Sequence, residues 1–213
     1  MIYAKSDRQG SESRPGEQSA TDARGDCPSV AYPLTALMPQ SNVGNTLLGH
    51  PTFWFYVPYS QEQIPVGKFV LYDETGSEAI APIDFTLPEQ VPGYVSFTLP
   101  ESVPELNMGQ FYRWYFELYC DPDEPTYVDV NGWVQRLAMS SDLNDQLSNA
   151  SPRTSQALLQ GIWYDAIAQL ANLRLMTPNN TALKMDWQTA LQRSDVGLTQ
   201  IPDAPLIGEV RIE

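Results

Sequence analysis

The sequence predicts a mainly β protein with added helix: an antiparallel β-sandwich, Ig-like or jelly-roll-like, followed by a C-terminal helical hairpin packed on it. Three observations lead there. Between Cys27 and about Ser140, short runs rich in β-branched and aromatic residues recur between Pro and Gly breaks. After residue 150 the apolar residues change to helical spacing. The chain of 213 residues is 42% hydrophobic, enough for one domain with a core of its own.

The expected strands are Thr52 to Val57, Lys68 to Tyr72, Ala79 to Phe85, Tyr94 to Leu99, Phe111 to Tyr119 and Tyr127 to Leu137. Tyr94 to Leu99 alternates most clearly, with Val95, Phe97 and Leu99 on one face. DETGSE between the second and third strands has hairpin-turn composition. Asn131 and Gly132 suit a type I′ hairpin or a bulge, and Pro82 suits an edge strand. Short strands joined by short turns favour an antiparallel arrangement over a parallel sheet with crossover helices. Ser151 and Pro152 read as an N-cap and first-turn pair ahead of Leu158, Leu159, Ile162, Trp163, Ala166, Ile167, Leu170 and Leu173. A second helix, about Thr181 to Ser194, sets Leu183, Trp187 and Leu191 on one side. The chain therefore divides into a polar arm at 1–26, the sandwich at 27–140, the hairpin at 141–200 and an extended tail at 201–213.

The stretch PTFWFYVPYS is apolar on both faces if it is a strand, with Phe53, Phe55 and Val57 opposed to Trp54 and Tyr56. A central strand covered by helices is the leading expectation; the competing one is a sugar-binding platform of Trp54, Tyr56 and Tyr59.

A formal charge of −14 repels nucleic-acid phosphates and anionic lipid headgroups. No run reaches the roughly 18 apolar residues of a membrane helix, so no membrane insertion is expected, and Met1 to Ser13 lacks the apolar core of a secretory signal. The two cysteines, Cys27 and Cys120, either form one bridge or stand as two buried thiols. Alternation within QFYRWYFELYC places Cys120 with Tyr112, Trp114, Phe116 and Leu118 on a face that reads as buried, and the bridge is the expectation.

The succession RGDCP, PLTALMP, PTFWFYVPY, YRWYFELYCD, GWVQR and GIWYDAIAQLANLR, over roughly Gly25 to Pro205, resembles the cyanobacterial family known as domain of unknown function 928. The resemblance implies an extracellular or cell-envelope setting and supports pairing Cys27 with Cys120. It implies no activity.

Signals for chemistry are weak. His50 lies in a turn between Gly49 and Pro51, the place a Ser-His-Asp site would have to use. Asp121, Asp123 and Glu124 form a weak Ca²⁺ candidate without the spacing of a calcium loop. Glu117 and Asp129 lie on adjacent expected strands and would be the carboxylates of a hydrolase acting on envelope polysaccharide. Arg24 to Asp26 spell an adhesion tripeptide without supporting context. No cofactor is expected. The leading expectation is a non-enzymatic envelope or extracellular protein that binds a polysaccharide or another envelope component, or assembles with copies of itself into filaments. In the assembly reading Ile2 and Tyr3 at one end, and Ile207, Val210 and Ile212 at the other, reach into a neighbour.

Overall fold

The computed structural model describes residues 13–20, 27–121, 126–149 and 161–213. Mainly β structure with helix is observed. Ten strands occur among the described residues: β1 (Thr35–Ala36), β2 (Val43–Thr46), β3 (Thr52–Val57), β4 (Val66–Asp73), β5 (Ile83–Thr86), β6 (Gly93–Thr98), β7 (Phe111–Asp121), β8 (Thr126–Arg136), β9 (Leu206–Glu209) and β10 (Arg211–Ile212). Three helices accompany them among the described residues: α1 (Ser141–Asn149), α2 (Trp163–Met176) and α3 (Thr181–Gln192). One sheet has the order β1-β3-β6-β9 and the other β10-β5-β4-β7-β8-β2.

Aromatic side chains fasten the two sheets together. Phe55 of β3 stacks on Phe116 of β7 with centroids 3.9 Å apart, Phe69 of β4 stacks on Phe97 of β6 at 4.1 Å, and Phe53 lies 5.5 Å from Trp114. Each buried ring stabilises by roughly 1.5–3 kcal/mol through removed apolar area. β3 is interior on both faces, since Trp54 meets Trp187 of α3 edge-on at 6.2 Å and Trp187 also meets Tyr94 of β6. The helix-covered central strand is thus observed.

Helix α2 is held by its first turn. Trp163 Nε1 donates to Leu37 O at 2.6 Å, and Trp114 Nε1 donates to the Tyr164 hydroxyl, which donates to Trp133 O at 3.1 Å. Gly44 of β2 leaves room for the Tyr164 ring, into which a Cβ would collide. The Asp165 carboxylate accepts from the Thr46 hydroxyl and from Leu47 N–H. Burial raises its pKa, and the two hydrogen bonds offset this only in part. A raised carboxylate pKa gives stability that is present at low pH and lost as pH rises through the folded value. The stability advantage of wild type over Asp165→Asn should therefore be larger at pH 4 than at pH 7 in denaturant titrations. An advantage independent of pH would contradict this placement.

Several expectations are corrected. The sheets are not wholly antiparallel: β2 pairs with β8 and β9 with β6 in parallel, which the long intervening connections permit. Asn131 and Gly132 lie inside the continuous strand β8 rather than at a turn. Glycine is required there because a Cβ would collide with the Met38 sulfur and the Trp114 ring. The third expected strand begins at Ile83, just after Pro82, and β10 lies outside it, so β5 is not the edge. Helix α1 was not expected; Leu143 and Leu147 alone pack it against Leu47 and Ile162. Ser151, Pro152, Leu158 and Leu159 lie outside the described residues.

Both chain ends that are described pair with their own chain. Glu17 exchanges backbone hydrogen bonds with Asn131, and Ala20 and Ala36 bond to Leu34 and Gln18, so residues 13–20 are part of the folded unit. In the tail, β9 extends the first sheet and β10 pairs with β5 of the second.

Cys27 and Cys120 are bonded, with Cα atoms 5.4 Å apart. Cys120 sits where the β7–β8 register shifts. The bridge spans a sequence separation of 93, so its reduction should cost about 4.7 kcal/mol by loop entropy. Denaturant titrations with and without reductant measure this; equal midpoints would contradict it.

Candidate functional site

Strand β7 alternates from Phe111 to Tyr119, and β8 alternates except at Asn131, which is buried between Val130 and Gly132. In β7, Tyr112, Trp114, Phe116 and Leu118 are buried, whereas Phe111, Arg113, Tyr115, Glu117 and Tyr119 are partly exposed on the opposite, outer face. The register then builds rows across that face: Tyr72 beside Arg113 beside Trp133, Lys68 beside Glu117 beside Asp129, and Tyr119 beside Tyr127.

A cleft of about 450 Å³ opens on this face, lined by Tyr72, Asp73, Glu74, Thr75, Gly76, Arg113, Tyr115, Glu117 and Trp133. The turn after β4 forms one wall. There the Asp73 carboxylate accepts from the Thr75 hydroxyl at 2.6 Å, Thr75 N–H at 2.8 Å and Ser77 N–H at 3.1 Å. These bonds, led by the Thr75 hydroxyl, hold its pKa below the usual carboxylate value. Gly76, at φ 82°, supplies the left-handed residue of this turn. The opposite wall is tied by the N-terminal segment. Trp133 Nε1 donates to Pro15 O at 2.8 Å, and the Arg14 guanidinium lies 3.8 Å from the Phe111 centroid and 4.7 Å from that of Trp133. Arg14 also pairs with Glu74 at 3.1 Å, which ties the two walls together.

On the floor, Arg113 donates to Asn131 Oδ1 at 2.9 Å and lies 4.9 Å from the Tyr115 ring centroid. Tyr72 meets Tyr115 at right angles, 5.8 Å away. Further along, the Tyr119 hydroxyl donates to Glu117 Oε2 at 2.7 Å, and Tyr119 packs on Tyr127 at 5.2 Å. Burial, then the Glu117 hydrogen bond, raises the Tyr119 pKa, which keeps the phenol protonated. The result is a surface of partly exposed rings interleaved with hydrogen-bonded polar groups.

A second hollow, of about 480 Å³, borders Gln18, Tyr32, Thr35, Tyr56, Thr199 and Gln200 at the β1 side. The Gln18 amide there is already committed to Met38 O and Val196 O.

The aromatic platform expected at Trp54, Tyr56 and Tyr59 is corrected. They are 2, 7 and 3% exposed; Trp54 lies against Trp187 of α3 and Tyr56 against Tyr94 of β6, and Tyr56 borders the second hollow. Glu117 and Asp129 are brought directly opposite each other. His50 Nε2 lies 3.0 Å from Val103 O. Asp121 ends β7, while Asp123, Glu124 and the tripeptide at Arg24 to Asp26 lie outside the described residues. Among the described residues no cluster of three or more potential metal ligands occurs, and no helix is long and apolar enough to cross a membrane. Val210 is buried, Ile207 half-buried and Ile212 exposed; Ile2 and Tyr3 lie outside the described residues. Arg113, Tyr115 and Tyr119 were detectable in the sequence by the alternation that buries Trp114. Tyr72, Trp133 and Arg14 join them only through register and folding.

Comparison with curated proteins and with solved structures returns no match. A family model matches residues 17–206, nearly the whole folded unit, and the chain therefore belongs to the family described as Domain of Unknown Function (DUF928).

Proposed function

We propose that the chain is a non-enzymatic binding protein of an extracellular or cell-envelope compartment, of cyanobacterial origin. The observation that carries this reading is the outer face of β4, β7 and β8, where partly exposed rings and fixed polar groups form an open cleft. A bridged cysteine pair suits an oxidising compartment. The stacked sheets support a β-sandwich of jelly-roll or Ig-like type, and the contact between α2 and α3 supports a helical hairpin laid on it. Binding is favoured over hydrolysis because Glu117 is already held by the Tyr119 hydroxyl, an arrangement that fixes an acceptor for recognition.

Self-assembly is a second proposal, favoured by one observation. The segment 206–212 adds strands to the margins of both sheets, so its exchange between copies would keep the same hydrogen bonds and link molecules head to tail.

Retention tests the first proposal. The washed envelope or extracellular fraction should hold the wild-type chain in oxidised form and release a Tyr115→Ala/Trp133→Ala variant. A reduced, cytosolic chain, or a variant retained like wild type, would contradict it.

A further inference from the structure

We propose that the cleft on the outer face of β7 and β8 takes a neutral pyranose polysaccharide. This rests on the binding role proposed above and names its ligand. Sugar rings present C–H faces that pack on aromatic rings and hydroxyls that pair with carboxylates, amides and guanidinium groups. The cleft offers both: Tyr115 and Trp133 as partly exposed rings, with Arg113 and Glu117 as polar groups between and beside them.

Charge narrows the class. Acidic Asp73, Glu74 and Glu117 line the cleft against the single lining base Arg113. Nearby Arg14 is engaged with Glu74, and nearby Lys68 pairs with Asp84 at 3.8 Å. With a chain charge of −14, a polyuronate or sulfated glycan meets repulsion, both local and long-range. The rings need no charge on the ligand. Size points to a chain rather than a single sugar: the outward row from Tyr115 to Tyr119 runs four residues, about 13 Å at strand rise, and Tyr119 continues onto Tyr127.

Affinity electrophoresis and calorimetry of the full chain test this with hydroxyethyl cellulose, a mannan and a xyloglucan, against alginate as polyuronate and chitosan as polycation. At least one neutral polymer should bind, and alginate should not. Tyr115→Ala should weaken binding at least tenfold, and Glu117→Gln several-fold, with melting temperatures unchanged. Glu117→Gln keeps the size of the side chain, which guards against a folding defect being read as lost binding. Binding of alginate or chitosan alone, lost in both variants, would overturn the ligand class and leave the binding face standing. No binding to any polymer, or binding indifferent to both variants, would overturn the face as a polysaccharide site.

Discussion

Phe55→Ala should lower the unfolding free energy by roughly 3–5 kcal/mol, the cost of truncating a fully enclosed aromatic side chain. Phe55 is 0% exposed, stacks on Phe116 and meets Trp114 edge-on at 5.7 Å. It thus fastens β3 of one sheet to β7 of the other. The void left behind faces rings that are themselves confined, so little collapse is available to offset it. Chemical denaturation measures the effect. A loss below about 0.5 kcal/mol, the level of an ordinary surface change, would mean that the two sheets do not meet through this ring.

Removing residues 206–213 should destabilise the chain by about 3–6 kcal/mol, from the lost burial of Val210, Leu206 and Ile207, and lower its melting temperature by roughly 10 °C or more. The segment supplies β9 and β10, donates Val210 N–H to Ser96 O at 2.9 Å and buries Val210. Its loss also bares the edge of β6 and one side of β5, which favours aggregation. From the sequence alone this deletion should leave a folded monomer; with the tail paired inside its own chain the expected outcome reverses. A truncated chain that melts like wild type would restore the tail to a role outside its own sheets.

Much of the fold was legible because alternation and apolar runs report burial directly. Residues 53–57 read as a strand covered on both faces since Phe53, Phe55 and Val57 oppose Trp54 and Tyr56, and that is where the chain places them. The alternation of 111–119 separated core from surface correctly at each position. Short strands without a pattern were missed: Val43–Thr46 carries Gly44 and Asn45, and its place beside β8 comes from a distant parallel pairing. Asn131-Gly132 carried turn chemistry, but its local preference yields to the Trp114 ring that needs the space.

The candidate site was legible in halves. Glu117 and Asp129 were placed on neighbouring strands, and the register sets them opposite each other. The aromatic surface, however, lies on β7 and β8 rather than β3. A dense aromatic run signals burial on two sides, whereas a ring alternating with charge signals a half-exposed strand. The pairing of Arg14 with Glu74 crosses 60 residues and leaves no local sequence pattern.

The central claim is that recognition occurs on the outer face of the six-stranded sheet while the β3 aromatic cluster is core. Hydrogen exchange of the full chain, with and without hydroxyethyl cellulose, mannan or xyloglucan, tests it most directly. Added protection should fall on peptides covering residues 70–77, 111–119 and 127–135, with residues 52–57 slow to exchange in both states. Protection centred on residues 52–59, or exchange unchanged throughout, would contradict the account.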